Sequence, residues 1–113
     1  MDMSVGELEG GALCVALKGR LDTVGVDKVE KHFSAAVAAT ERDVAVDLGG
    51  VSFLASMGVR MIIATARAQR ARGRKLVLFG ALPLVQSTLE MVALDQIIPV
   101  VADREAARAS LAG

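Results

Sequence analysis

The sequence predicts an α/β protein in which a mixed sheet of four to five strands is covered by about four helices. Short apolar runs alternate along the chain with longer segments whose apolar residues recur at helical spacing. A Gly-Gly turn separates the first two β-like segments, which is typical of an antiparallel hairpin. The later strands are joined through helices, and such crossovers make neighbouring strands parallel. The predicted order is ββαβαβαβα.

The first half of the chain is predicted to form a hairpin, a helix and a buried strand. The hairpin turns at Gly10 and Gly11, and its second strand covers residues 12–18. A helix follows over about residues 24–39, where the apolar residues at helical spacing are Val26, Val29, Phe33, Ala36 and Val37. The apolar run at residues 44–48 is typical of a strand that is buried on both faces of a parallel sheet.

The second half is predicted to add three helices and two strands. A long helix follows Ser56 and ends near Gly73, with inward residues Val59, Ile62, Ile63 and Ala66. After the strand "KLVLFG", a helix begins with Pro83 in its first turn and carries on one side Leu84, Val85, Thr88, Leu89 and Val92. The segment "IIPVV" fits a short edge strand, where proline is tolerated, and Asp103 is placed to cap a C-terminal helix.

The length and composition favour one domain, residues 1–113, and exclude several classes of protein. Apolar residues make up 53% of the chain, but it has only three Phe and no Trp or Tyr, so base stacking on aromatic platforms is not expected. The single cysteine, Cys14, excludes an internal disulfide and is predicted to pack as a small apolar residue. The acidic opening and the short apolar runs predict no signal peptide and no membrane insertion. A cytoplasmic protein without cofactors is expected.

The motifs of common enzymes are missing. Ser56 lies in L-A-S-M-G rather than in a G-x-S-x-G elbow, and the only histidine, His32, falls among charged residues off the apolar stripe. Asp22 is explained as a turn residue, and Asp47 as an acceptor for neighbouring loop amides. The sequence therefore predicts neither catalytic residues nor a metal site.

The charges are distributed unevenly although they sum to zero. The segment from Leu48 to Leu89 has no acidic residue, and its basic residues are Arg60, Arg67, Arg70, Arg72, Arg74 and Lys75. Arg60, Arg67 and Arg74 are seven residues apart, which predicts one stripe on the long helix, with Ala64 and Ala71 between them. A stripe of this kind favours an acidic protein partner over direct binding of nucleic acid.

Four segments in order resemble the STAS domain of bacterial anti-sigma factor antagonists: "GALCVALKGRLD", "VAVDLGGVSFLASMG", "RGRKLVLFG" and "TLEMVALDQIIPVVADREAARASL". The resemblance covers about Gly10 to Leu111 and implies a STAS-type mixed sheet with the helices mainly on one side. It implies a partner that is both anti-sigma factor and serine kinase, of the histidine-kinase-like ATPase type, with a phosphatase that reverses the modification. In the family the loop after the third strand usually reads Asp-Ser-[Ser/Thr]-Gly. Here it reads Ala55-Ser56-Met57-Gly58, so Ser56 is the implied phosphorylation site.

Ser56 thus has three interpretations: a helix N-cap, a catalytic nucleophile, or a phosphorylated switch. We expect a regulatory module, monomeric or weakly dimeric, that is released from its partner when Ser56 is phosphorylated. The alternative is a STAS subunit that binds another machine constitutively, such as the ATPase of an ABC-type lipid-transport complex. If Ser56 is not the acceptor, Ser52 and Thr65 are the next candidates. The predicted partner-binding residues are Asp22, Ser56, Met57, Gly58, Arg60 and Arg67.

Overall fold

The computed structural model describes residues 1–112 and contains a five-stranded mixed sheet. The strands are β1 (Asp2–Glu7), β2 (Leu13–Leu21), β3 (Val44–Leu54), β4 (Leu76–Phe79) and β5 (Val100–Val101). They lie in the order β1-β2-β3-β4-β5, with β1 antiparallel to β2 and the other neighbours parallel. The mixed sheet is as predicted, and five rather than four strands form it.

Four α-helices connect or follow these strands. They are α1 (Thr23–Ala39), α2 (Ser56–Ala71), α3 (Pro83–Met91) and α4 (Arg104–Ala112), with one 3-10 turn at Leu94–Gln96. Pro83 occupies the first turn of α3, and the carboxylate of Asp103 accepts from the Ala106 amide at 2.8 Å. The predicted element order and both helix starts are confirmed.

The sheet has a helix layer on each face, and the layers are unequal. Alternating side chains of the strands, such as Leu13, Val15 and Leu17, pack with α1, α2 and α3 in the main core. The opposite side chains, including Cys14 and Phe79, pack against α4 in a smaller cluster. Three helices therefore cover one face and one helix covers the other, in agreement with the predicted packing mainly on one side.

Cys14 lies inside the smaller cluster and is buried. Burial raises the pKa of its thiol against the opposing effect of the Arg104 guanidinium, whose Nη1 lies 3.6 Å from Sγ. A buried thiol with a raised pKa holds little of the reactive thiolate. The predicted role as a small apolar core residue agrees with this environment.

β3 is longer than predicted, because the strand continues through Gly49 and Gly50 to Leu54. The prediction that it ends at Leu48 was wrong. Its register against β2 slips twice, and the pairs that show this are Ala16 with Asp47, Lys18 with Gly50, Gly19 with Val51 and Arg20 with Phe53. Each slip places one extra residue on β3, which is the geometry of a β-bulge. Asp47 accepts from the Gly49 amide at 2.8 Å beside the first slip, as predicted for this carboxylate.

Two predictions about the helices need correction. α2 ends at Ala71, and Gly73 takes a left-handed φ of 73°, so Arg74 lies beyond the helix and outside the predicted arginine stripe. α3 ends at Met91, so Val92 lies just beyond the helix on which it was predicted. The side that carries Val85 and Leu89 is only partly buried, because Leu84 is 60% and Val92 49% exposed. Helical spacing places these residues on one side of the helix, but neighbouring elements cover only part of that side.

Candidate partner-binding site around Ser56

Ser56 is the first residue of α2 and follows the end of β3. The carbonyl of Ala55 accepts from the amides of Gly58 and Val59 at 3.0 and 3.1 Å, and the backbone of Ala55 is extended. These are the features of an N-cap residue. The prediction that Ser56 caps the helix was wrong, because that position belongs to Ala55, whose side chain offers no acceptor.

The Ser56 side chain is exposed, and its hydroxyl makes no hydrogen bond within residues 1–112. The Ala55 amide donates to the Leu21 carbonyl at 3.0 Å, which joins this loop to the end of β2. Ser56 therefore stands at the carboxyl edge of the parallel strands, where α/β folds commonly place their sites. Its hydroxyl is accessible to another molecule.

Gly58 brings the first turn of α2 against the sheet. It is buried, and a Cβ atom at this position would lie 2.8 Å from the carbonyl oxygen of Leu21, from its Cγ and from Cδ1 of Leu54. No side chain fits there without movement. Gly58 thus seats Ser56 at the sheet edge, and direct contact with a partner is not expected of it.

Asp22 lies beside this loop as the N-cap of α1. Its Oδ1 accepts from the Gly25 amide at 2.9 Å, and its Oδ2 accepts from Nε of Arg20 at 3.2 Å. The amide of Gly25, together with Arg20, lowers the pKa of Asp22. The carboxylate is therefore charged at neutral pH and is already paired within its own chain.

Arg20 and Phe53 belong to the same surface, and sequence reasoning missed both. The guanidinium carbon of Arg20 lies 4.5 Å from the ring centroid of Phe53, within the range of a cation–π contact. The two residues face each other across β2 and β3. Continuing the apolar alternation of β3 past its two glycines is the signal that would have found this pair.

An apolar groove of about 510 Å³ opens beside the serine, between α2 and α3. Its walls include Phe53 and Val59 from one side and Thr88 and Val92 from the other, with Ser56 at the rim. Val92 is exposed despite its size, as are Leu84 and Met91 nearby in sequence. The contribution of α3 to this surface was not predicted. Of these three exposed residues Val92 lines the groove itself, and an apolar groove beside an accessible hydroxyl is typical of a protein interaction surface.

Met57 and Arg60 flank the serine, and Arg67 does not. Met57 is 38% exposed, and Nη1 of Arg60 lies 3.9 Å from its Sδ atom. Arg67 is eleven residues beyond Ser56, which is about 16 Å along the helix axis. It lines a different groove, near the start of β4. The structure thus brings Asp22, Ser56, Met57 and Arg60 to one end of the sheet and leaves Arg67 near the other.

The two alternative phosphorylation sites, Ser52 and Thr65, differ in their exposure to solvent. Thr65 is buried, with only 5% of its surface exposed, so a kinase cannot reach it in the folded protein. Ser52 is exposed, and its hydroxyl donates to the Gly19 carbonyl at 3.4 Å. Ser52 is the remaining alternative to Ser56.

Other kinds of site find little support in residues 1–112. No group of three or more His, Cys, Asp and Glu side chains in that range is placed to hold a metal ion, and His32 is exposed. No helix among these residues has both the length and the apolar character needed to cross a bilayer.

The fold is that of a STAS domain, and the family model of that name matches residues 6–107. The chain belongs to the STAS domain family. It is 32% identical over 100 residues to BtrV of Bordetella bronchiseptica, which is named an anti-sigma factor antagonist, with 88% of this chain and 86% of that protein covered.

Solved structures repeat the fold. A STAS domain protein from Planctomyces limnophilus, described as an anti-sigma-factor antagonist, superposes with a TM-score of 0.87 at 19% identity over the whole of both chains. The phosphorylated form of the Bacillus cell fate determinant SpoIIAA superposes with a TM-score of 0.67 at 18% identity, covering 93% of this chain and 96% of that one. At these identities the likeness concerns the fold alone.

Proposed function

We propose that this chain is a cytoplasmic anti-sigma factor antagonist whose Ser56 surface binds an anti-sigma factor with serine kinase activity. The observation that carries the proposal is the exposed Ser56 hydroxyl, free of hydrogen bonds within the described chain, at the rim of an apolar groove. The relationship to BtrV supports the class of partner. Met57, Phe53 and Val92 supply apolar contact area around the serine.

Phosphorylation of Ser56 would switch this binding off. A phosphoserine carries about −1.5 to −2 charges at neutral pH. At the first residue of α2 these charges meet the positive end of a helix dipole, with Arg60 one turn further along. The dianion is therefore compatible with the fold. It opposes a partner instead, because an apolar interface would have to desolvate it.

A constitutive STAS subunit of another machine is the second candidate. Ala55 stands at the N-cap of α2, where the family pattern has an aspartate, and this departure favours a surface that is not phosphorylated. Such a protein would use the same groove and the same exposed apolar residues. Its partner would be an ABC-type ATPase rather than a histidine-kinase-like ATPase.

The deciding experiment joins identification of the partner with intact-mass measurement. The tagged chain is purified from its own organism, and the ATPase that copurifies is identified and incubated with it and ATP. A mass increase of one phosphoryl group that is lost in Ser56→Ala supports the switch. Ser52→Ala is the matched control and should still be modified. An unmodified wild type bound to an ABC-type ATPase would replace the first proposal by the second.

A binding measurement tests the direction of the switch. Ser56→Asp should bind the same partner at least tenfold more weakly than Ser56→Ala. Ser87→Asp adds the same charge at an exposed serine of α3 and serves as the control. Equal affinity of Ser56→Asp and Ser56→Ala would contradict charge-based release.

A further inference from the structure

A second groove, distinct from the one at Ser56, lies at the opposite end of α2. It has a volume of about 480 Å³ and is bounded by the last turns of α2, the start of β4, the segment before β5 and the end of α4. It shares no lining residue with the Ser56 groove. Pockets for small ligands typically measure about 300–1,000 Å³. This groove therefore has the size of a small-molecule site.

One side of this groove is cationic. Arg67, Arg70, Arg74 and Lys75 line it, and none of its lining residues in the described part of the chain is acidic. The three ion pairs found among residues 1–112 involve none of these arginines. Arg67 and Arg70 are exposed and no described carboxylate forms an ion pair with either, so their positive charge is available to an anion from outside the chain.

Arg74 adds a second, independent observation. Its Nε atom is buried and has no hydrogen-bond partner among the described residues. A buried donor without an acceptor is rare in folded proteins, because leaving it unpaired is destabilising. An anion oxygen in the groove satisfies this donor only when the guanidinium of Arg74 turns towards it, because the Nε atom is now closed off from solvent.

The other side of the groove is apolar. Leu76, Ile97, Ile98, Pro99 and Leu111 line it, and Ile97 is 44% exposed. Leu76 and Ile98 are already buried, so a bare inorganic anion would contact the arginines and leave chiefly Ile97 exposed to water. A ligand that fills the groove therefore combines an anionic head with an apolar body.

We propose that this groove binds a small amphipathic anion, namely an alkyl chain that ends in a carboxylate or a phosphate. The head lies against Arg67, Arg70 and Arg74, and the alkyl chain lies along Ile97 and Leu111. The site is about 16 Å along α2 from Ser56, so it does not depend on the partner surface described above.

Titration calorimetry with defined amphiphiles tests the chemistry of the ligand. The probes are dodecanoate and dodecyl phosphate below their micelle-forming concentrations. There are three controls. Dodecanol has the tail without a charge, dodecyltrimethylammonium has the tail with a positive charge, and inorganic phosphate has the negative charge without a tail. One molecule of either anionic probe should bind per chain, at least tenfold more tightly than every control. Equal binding of a control, or no binding of either anionic probe, would overturn the proposal.

Variants locate the site. The double variant Arg67→Gln/Arg70→Gln should weaken binding by about tenfold or more, because it removes two cationic donors from the anionic head. Arg60→Gln removes the same charge from α2 outside the groove and should bind normally. Ile97→Asp should abolish binding with an unchanged melting temperature, since its side chain is partly exposed. Normal binding by the double variant would place the ligand elsewhere and overturn the assignment.

A vesicle measurement distinguishes a single amphiphile from a membrane surface. Flotation with phosphatidylglycerol vesicles should leave the protein in the soluble fraction, because the groove accommodates a single amphiphile and not the surface of a bilayer. Flotation of the wild type without any binding of dodecanoate or dodecyl phosphate would overturn the proposal. None of these measurements uses the Ser56 partner, so their outcome is separate from that of the proposed switch.

Discussion

Gly58 lies so close to Leu21 that a Cβ atom on the glycine would stand 2.8 Å from the carbonyl oxygen of the leucine. Replacing glycine by alanine inside a helix usually gains about 1 kcal/mol. At Gly58 we expect the opposite, a loss of about 1–3 kcal/mol in the free energy of unfolding, because the backbone of β2 cannot yield. Urea denaturation of Gly58→Ala measures this loss. Gly6→Ala is the control, since a Cβ at Gly6 meets nothing within 4 Å, and an equal loss in both variants would contradict the packing role.

Removing the Ser56 hydroxyl should leave the stability nearly unchanged. The hydroxyl bonds to nothing in the described chain and does not cap α2. Ser56→Ala should therefore shift the free energy of unfolding by less than about 0.5 kcal/mol. Ser56→Asp should raise it slightly, since an acidic residue in the first turn of a helix is favourable by about 0.3–1 kcal/mol. A loss above 1 kcal/mol in Ser56→Ala, measured by thermal or urea unfolding, would restore a capping role.

Asp22 should make the stability depend on pH in the acidic range. The Gly25 amide, with Arg20, lowers the pKa of Asp22 in the folded protein below its ordinary 3.8. A depressed folded pKa means that the stabilisation is complete above the unfolded value and is lost as the pH falls towards the folded one. Melting curves between pH 6 and pH 2.5 should fall less steeply for Asp22→Asn than for the wild type. Glu105 has a pKa lowered by Arg108 and acts in the same direction, so Glu105→Gln is the matched comparison.

Val92 should contribute to partner binding and little to folding. It is 49% exposed at the wall of the Ser56 groove. Val92→Glu should lower affinity for the partner at least tenfold, because a carboxylate would have to be desolvated in the interface, while the melting temperature stays within a few degrees. Ala109→Glu on the exposed side of α4 is the control for added charge. Unchanged affinity of Val92→Glu would remove Val92 from the proposed surface.

Gln69 should be among the polar side chains most important for stability. It is fully buried in α2, and its Nε2 donates to the carbonyls of Arg42 and Lys75 at 2.9 and 3.2 Å. Its Oε1 accepts from Arg72 at 2.9 Å. Gln69→Met keeps the volume but leaves the Arg42 carbonyl without this donor, so we expect a loss of about 1–3 kcal/mol. The exposed Gln96→Met is the control, and equal stability of both variants would contradict the role of this amide.

The element order could be predicted because each helix and strand of the core carries its own apolar periodicity. The end of β3 could not, since Gly49 and Gly50 are ordinary chain breakers by composition, and only pairing with β2 keeps them in the strand. Ser56 was predicted as a cap for a related reason. Residue type favours serine at an N-cap, but the preceding strand sets which residue is the first with helical backbone, and that strand ends one residue before Ala55.

The candidate site could be predicted at its centre and not at its margins. Ser56 and Met57 were found from a local motif. Phe53, Thr88 and Val92 come from two other elements, and the groove they form depends on how α3 docks. Gln69 was missed because a polar residue inside a helical pattern reads as surface until its partners across the fold are known.

The two bulges of β3 also set how far the Ser56 loop projects. β3 has two more residues than the paired stretch of β2, one in each bulge, and Leu54 still pairs with Leu21. An unbulged strand of the same length would carry its last residue about 6–7 Å further out, at about 3.3 Å per residue. Ser56 would then project beyond the sheet edge and no longer lie beside Thr88 and Val92. The surplus length of β3 thus acts as a fixed spacer, and a single deletion in residues 47–52 would change the height at which a partner meets the hydroxyl.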